Sequence, residues 1–213
     1  MKAVISDIHG NLEALEAVLT NIKELGVESV YCLGDIAGYG SGPGKCIDLL
    51  MGCPVVLLGN HDQEALQAPE GSYVRTQIER PEDAAEDRRR RRAFLQERPL
   101  QHEEGEILFV HGSAWNPLSE YVFPEDVNNK LKMERIFARV GKVCIQGHTH
   151  MPGIFTEDLT FLVPESFGSV WRLDARKILC NVGSVGLPRD GDPRASYVIL
   201  DDEAIRFRRV SYS

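Results

Sequence analysis

Apolar positions along this chain fall into two kinds of grouping. Short unbroken runs recur at Ala3-Val4-Ile5, at residues 29–33, at residues 54–58, at residues 107–110 and at Val143-Cys144-Ile145. Runs without alternation suit strands covered on both faces, as in a sheet with helices outside. Between the first two runs lies NLEALEAVLTNIKELG, where Leu12, Leu15, Val18, Leu19, Ile22 and Leu25 recur at helical spacing. Asn11 stands ready to cap its start and Gly26 its end. The pattern predicts a βαβ unit, a weaker helix after Pro43, and another over NNKLKMERIFARVG before Val143.

Beyond residue 155 the pattern changes. Residues 170–173, 177–180, 195–200 and 204–208 read as strands joined by short turns such as Leu173-Asp174-Ala175-Arg176. A βαβ front and a β-meander back, each with an apolar face, bury those faces most simply as two packed sheets with helices outside. Residues 62 to 105 fit neither pattern. They include EDAAEDRRRRRAFLQERP, in which Glu86 can face Arg90 and Asp87 can face Arg91 across one helical turn. This stretch is predicted as a small helical cap-like insertion. Its arginines from Arg88 to Arg92 read either as a solvated helix face or as a cap whose guanidinium groups meet phosphate. With no internal repeat and no long linker, residues 1–213 are expected to form a single domain.

Composition narrows the function classes. The chain is 43% apolar, ordinary for a globular protein, and its formal net charge of −8 makes long nucleic acid a poor partner without a local basic patch. The amino-terminal apolar run is too short for a signal peptide or a membrane span, and no later stretch is long enough either, so a cytoplasmic location away from membranes is expected. Cys32, Cys46, Cys53, Cys144 and Cys180 form no C-x-x-C pair and read as structural filler. The oligomeric state is not legible.

The candidate chemistry lies just past the end of each predicted strand. The first run ends in Ser6-Asp7-Ile8-His9-Gly10-Asn11, the second in Gly34-Asp35, the third in Gly59-Asn60-His61-Asp62, the fourth in His111-Gly112-Ser113 and the fifth in Gly147-His148-Thr149-His150. In an open α/β sheet such loops gather in one crevice at the carboxyl ends of the strands. Five of the six histidines lie in these loops, leaving only His102 elsewhere. Imidazole, carboxylate and amide oxygen together suit divalent manganese, iron or zinc, and no thiolate is placed to join them. Asp7, His9, Asp35, Asn60, His111, His148 and His150 exceed the needs of one tetrahedral ion. They fit two ions about 3.5–4 Å apart that share a carboxylate. Gly10, Gly34, Gly59, Gly112 and Gly147 flank these residues and permit sharp turns and close backbone approach.

Taken in order, Asp7-x-His9-Gly10-Asn11, Gly34-Asp35, Gly59-Asn60-His61-Asp62, His111-Gly112 and Gly147-His148-Thr149-His150 resemble the motif set of the calcineurin-like metallophosphoesterases. Residues 34–40, 111–113, 117–121 and 183–190 are most similar to a bacterial and archaeal branch of phosphodiesterases and diadenosine-tetraphosphatase relatives. The resemblance implies an α/β fold, a four-layer αββα sandwich of two mixed sheets with flanking helices. It implies that Asp7, His9 and His150 hold one ion, that Asn60, His111 and His148 hold the other, and that Asp35 bridges them. Manganese is the first expectation for both, with iron, zinc, nickel and magnesium behind it. One departure stands out: related protein phosphatases carry an Asp three residues past the bridging carboxylate and an Arg after it, where this chain has Gly38 and Tyr39. A phosphoprotein substrate is weakened accordingly, and nothing in the sequence says what orients His61.

The expected function is hydrolysis of small phosphate esters, diesters or nucleotides, by attack of a metal-bridging hydroxide, with His61 protonating the leaving alkoxide. Arg189 reads as a phosphate contact or as an ion pair with Asp190. Asn11 reads as a helix cap first and a substrate contact second. Two rivals remain: a non-catalytic interaction module on the same fold, and a nuclease for short single strands that would stack bases on Trp115 and Trp171.

Overall fold

In the computed structural model, which describes residues 1–76, 78 and 83–213, the unbroken apolar runs become neighbouring strands. Strands β1 (Lys2–Ile5), β2 (Val30–Cys32) and β3 (Val55–Val56) are parallel, with Ala3 opposite Val30 and Tyr31 opposite Val55. Each is covered twice, which is why its sequence does not alternate. Ala3 and Ile5 enter a core shared with helices α1 (Leu12–Glu24) and α2 (Pro43–Leu50). Val4, Tyr31 and Val55 enter a second core between two sheets. Helix α1 begins where the Asn11 side chain accepts the Ala14 N–H, and it buries Leu15, Val18 and Ile22 on one face.

The insertion contributes α3 (Asn60–Gln67), α4 (Tyr73–Thr76) and α5 (Ala85–Gln96). Strands β4 (Gln101–Glu104) and β5 (Ile107–Val110) follow, then α6 (Lys130–Phe137) and β6 (Val143–Gln146). The remainder is β7 (Gly153–Thr156), β8 (Thr160–Leu162), β9 (Val170–Arg172), β10 (Ile178–Asn181), β11 (Ala195–Leu200) and β12 (Ala204–Val210). They assemble into two mixed six-stranded sheets, ordered β3-β2-β1-β11-β12-β9 and β4-β5-β6-β10-β7-β8. Met133, Ile136 and Phe137 of α6 cover the outer face of the second sheet through a third core. The layers are therefore helix, sheet, sheet, helix. Among the described residues no helix is long and apolar enough to cross a membrane.

The second half departs from the expected meander. Strands β9 and β10, read as neighbours across the turn at residues 173–176, lie in different sheets: β9 pairs with β12, while β10 inserts between β6 and β7. All four residues of β10 are buried, and a strand with both faces covered is best satisfied with a ladder on each side. The turn between them carries the chain from one sheet to the other.

The arginine run also differs from expectation. Arg91 turns inward, 6% exposed, and pairs with Asp48 on α2 at 2.6 Å and Asp83 at 2.7 Å rather than with Asp87. Arg90 pairs with Asp87 and Asp48, not with Glu86. A guanidinium holding carboxylates on two sides bolts α5 onto α2. Arg88, Arg89 and Arg92 line a cavity of about 370 Å³ together with Arg75 and Glu70, away from the metal-type donors. Gln77 and residues 79–82 of the predicted cap lie outside the described residues.

Candidate metal centre

Because β1, β2 and β3 are mutually parallel, and β5, β6 and β10 likewise, their carboxyl ends lie on one edge of each sheet. Hydrogen bonds then stitch those edges together. The His148 N–H donates to Asp7 Oδ2 at 2.9 Å, and the Val185 and Gly186 N–H groups donate to the Ser6 and Asp7 carbonyls at 3.0 Å. The loop after β10 is thus clamped to the loop after β1.

Asp7, His9 and His150 place donor atoms within 4.8 Å of one another, and so do Asp35, His111 and His148. All six are buried. The four imidazoles share one arrangement. His9 Nδ1 faces the Ala37 carbonyl at 3.2 Å, His111 Nδ1 the Leu33 carbonyl at 3.1 Å, His148 Nε2 the Ser119 carbonyl at 3.2 Å and His150 Nδ1 the Leu187 carbonyl at 2.6 Å. A carbonyl can only accept, so each of these nitrogens carries the proton and the other nitrogen of each neutral ring is bare. The bare nitrogens point at one another: His9 Nε2 to His150 Nε2 at 3.1 Å, and His111 Nε2 to His148 Nδ1 at 3.1 Å.

The carboxylates complete two groups. Asp7 Oδ1 lies 3.2 Å from His150 Nε2 and 3.8 Å from His9 Nε2, fully buried and without a hydrogen-bond partner among the described residues. Asp35 Oδ2 lies 3.3 Å from His111 Nε2 and 3.8 Å from His9 Nε2, within reach of both groups. Asn60 Oδ1 joins the second at 3.0 Å from His111 Nε2. Lone pairs aimed at lone pairs, with an orphaned buried carboxylate oxygen among them, fit a cation between them and fit little else.

The electrostatics agree. Burial pushes His9 and His148 down to about 4, so both rings are neutral donors at physiological pH. Burial also works to lower His111, but the Asp35 carboxylate outweighs it and pushes that ring up to about 9, so without a cation its Nε2 keeps a proton that a bound metal ion would displace. The cluster favours positive charge most strongly there. Although burial opposes it, the surrounding rings hold Asp7 and Asp35 below the usual carboxylate range.

Backbone strain gathers at the same place. Seven non-glycine residues among those described have positive φ, and Asp7, His9, Asp35, His148 and His150 are five of them, between 48° and 69°. Side chains rarely accept this left-handed region unless the surroundings impose it. Two glycines supply the required room. A Cβ on Gly59 would sit 2.1 Å from Asp35 Oδ1, and one on Gly38 would sit 2.3 Å from His9 Nδ1.

His61 stands at the mouth, a quarter exposed, with its own N–H on Asp35 Oδ1 at 2.9 Å. Its ring is held edge-on by His9 and Tyr39, with centroids at 5.1 and 5.2 Å, and Glu64 lies 3.9 Å from Nδ1. Tyr39 therefore packs against the ring whose orientation the sequence left unexplained. Asp62 is a second residue missed as functional. Fully buried, it accepts the Ala37 N–H at 2.8 Å and the Gly59 N–H at 3.1 Å, tying the Asp35 loop to the Asn60 loop. Burial, and next the Asp35 charge, push it up to about 7. Its signal was present in the sequence: an acid at the third position of a helix following a glycine N-cap.

The remaining predicted positions divide. Asn11 lines the mouth with His9 and Tyr39, but its side chain caps α1 and donates to the Gly186 carbonyl and the Tyr212 hydroxyl. Arg189 does not pair with Asp190, which binds Arg209 instead; its guanidinium has no ion-pair partner among the described residues. Trp171 is core, 8% exposed, and Trp115 lies beneath the guanidinium groups of Arg135 and Arg139, so neither is a free stacking platform.

Residues 1–204 match the calcineurin-like phosphoesterase superfamily domain. An uncharacterized protein of Methanocaldococcus jannaschii is 36% identical over 225 residues, covering all of this chain and 88% of its own length. Among solved structures, a metallophosphoesterase from Sphaerobacter thermophilus superposes with a TM-score of 0.83 at 32% identity, over all of this chain and 88% of that one. A hypothetical protein from Pyrococcus horikoshii shares the fold at a TM-score of 0.69 and 20% identity, over all of this chain and 89% of that one.

Proposed function

The chain belongs to the calcineurin-like phosphoesterase superfamily, and within it we propose a metal-dependent hydrolase of small phosphate esters, diesters or nucleotides, built on two divalent ions. The observation that carries this reading is the facing of bare imidazole nitrogens at 3.1 Å in two adjacent groups that share Asp35. Asp7, His9 and His150 would hold one ion, and Asn60, His111 and His148 the other. Ions bound there supply Lewis acidity toward phosphoryl oxygens and a nucleophile drawn from water at neutral pH. Manganese leads the candidates, ahead of iron, zinc, nickel and magnesium, since the donors are nitrogen and oxygen and no thiolate is near.

The chain's own groups do the rest. The Arg189 guanidinium, without a carboxylate partner among the described residues, would hold a phosphate oxygen in its planar fork. His61, wedged between Tyr39 and His9 at the mouth, delivers a proton to the leaving alkoxide oxygen. Asp62 keeps the two loops that carry Asp35 and His61 in register. An interaction module would have no use for four aligned imidazoles, and a single-strand nuclease would want a basic groove along the strand, which a net charge of −8 disfavours.

Manganese-loaded protein assayed on bis(p-nitrophenyl) phosphate tests the proposal, with diadenosine tetraphosphate as the first natural compound. Asp35→Asn removes the oxygen common to both groups, and metal-dependent turnover is expected to fall at least about 10²–10³-fold. Turnover retained in that variant would overturn the shared-carboxylate arrangement.

A further inference from the structure

Aromatic rings crowd the mouth of the metal centre. Tyr121, 39% exposed, lies on the His148 ring with centroids 3.7 Å apart and planes 20° from parallel. Phe123, 38% exposed, continues the stack at 5.2 Å from Tyr121 and 6° from parallel. Val122 between them is buried and closes the core beneath, so the two aromatic side chains are not needed for that task. The column of His148, Tyr121 and Phe123 thus runs from a candidate metal ligand out to solvent.

Parallel rings partly open to water beside a polar crevice offer a stacking face to a flat group. The neighbourhood says what it is attached to. Tyr121 lies flat on the ring of His148, a residue proposed to hold one of the phosphate-binding ions. Across the mouth, Tyr39 presents a 58% exposed ring against His9 and His61.

We propose that Tyr121 and Phe123 form a shelf for the planar base of a nucleotide ester whose phosphate occupies the metal centre. This rests on the phosphoesterase reading for the position of the phosphate. A base suits the shelf because every nucleobase has a π-face, and stacking on an exposed aromatic ring tolerates sequence. The stack starts at a residue proposed to hold the phosphate-binding ions, so base and phosphate belong to one ligand. The net charge of −8 favours one nucleotide unit over a long strand.

Two measurements on manganese-loaded protein test this. Calorimetric titration with adenosine monophosphate and with ribose 5-phosphate compares the same phosphate with and without the base. Turnover of thymidine 5′-(p-nitrophenyl) phosphate and of methyl p-nitrophenyl phosphate compares esters with the same leaving group. The unaltered protein is expected to favour the base-bearing member of each pair at least about tenfold, and Phe123→Ala to remove most of that preference, as loss of one stacking ring does elsewhere. Phe123→Leu repeats the test with less disturbance of packing. Equal affinity for both phosphates in the unaltered protein, or an equal loss on both in the variants, overturns the shelf. Loss of turnover on both esters with the adenosine monophosphate preference intact would remove the phosphoesterase reading and support the shelf.

Discussion

Two polar clusters join the sheets, one at each end of β1, and they are built on opposite principles. At the Lys2 end, the Lys2 ammonium and the Tyr31 phenol, both from the first sheet, donate to the Glu104 carboxylate of the second. His102 lies 3.1 Å from the same carboxylate, and the ammonium sits 4.8 Å over the Tyr31 ring. Every group there meets its complement. At the Asp7 end, ring nitrogen faces ring nitrogen, a buried Asp7 oxygen has no hydrogen-bond partner among the described residues, and five backbones are held at left-handed φ. The first cluster coheres by itself. The second favours positive charge at its centre, and backbone strain gathered with an orphaned buried oxygen points to a functional site.

The sharpest way to separate the two ends is through turnover. His61→Ala is expected to reduce hydrolysis of esters with poor leaving groups by about 10²–10⁴-fold, and of nitrophenyl esters much less, because a good leaving group needs little proton assistance. Equal losses on both would argue that His61 positions substrate and transfers no proton. Next in size is the effect of metal on stability. Manganese at about a thousand times its dissociation constant stabilises by about 4 kcal/mol, or about 10 °C in Tm for a chain of this length. Asp7→Asn should remove the part of that shift owed to the ion held with His9 and His150, and Glu104→Gln should preserve all of it. A full manganese shift surviving in Asp7→Asn would place that ion elsewhere.

The contrast also explains what the sequence made legible. Donor residues at the ends of unbroken apolar runs were readable because β1, β2, β3, β5 and β6 are buried on both faces and so lack alternation. The alternating burial of β4, and the location of β8 at a sheet edge with three residues, gave no such signal. β7 was missed for another reason: Gly153 starts it, where a side chain would meet Phe161, and glycine reads as a turn. The sheet to which β9 and β10 belong depends on long-range ladders that no local turn encodes. Tyr121 sits in a loop with no periodic neighbour, and its place on His148 comes entirely from tertiary packing. Arg91 misled for the opposite reason, since its partner Asp48 lies 43 residues away while a plausible local partner stood one turn back.

A smaller effect should separate scaffold from chemistry within the metal end itself. Asp62 accepts two buried N–H groups and contributes no atom to the two buried donor groups. Asp62→Ala leaves those donors without a partner, at a cost of about 1–3 kcal/mol each if nothing replaces it. Chemical denaturation of the metal-free protein would read this directly. A loss that appears only with manganese bound would instead mean that Asp62 acts on the ions through Asp35.

The smallest effect lies at the Lys2 end, and its sign follows from Glu104. Burial works to raise this carboxyl, but hydrogen bonds from Lys2, Tyr31 and His102 outweigh it and hold it at about 2, against an ordinary value of 4.5. An acid depressed by folding contributes its full stability above its unfolded value and loses it as pH falls toward its folded value. The contribution should therefore be complete at pH 6, decline from about pH 4.5 and be nearly gone at the folded value of about 2. Its size is at most about 1 kcal/mol, since the side chain is about a third exposed (32%) and water screens the pair. Urea unfolding of the parent and Glu104→Gln, both in chelator, measures it: the variant should be less stable at pH 6, and most of the gap should be gone at pH 2.5. Asp7, Asp35 and their histidines titrate in both proteins, so their contribution cancels in the difference. A gap that stays constant with pH would mean that Glu104 joins the sheets by packing and neutral hydrogen bonds, and that the two ends differ less in kind than their geometry implies.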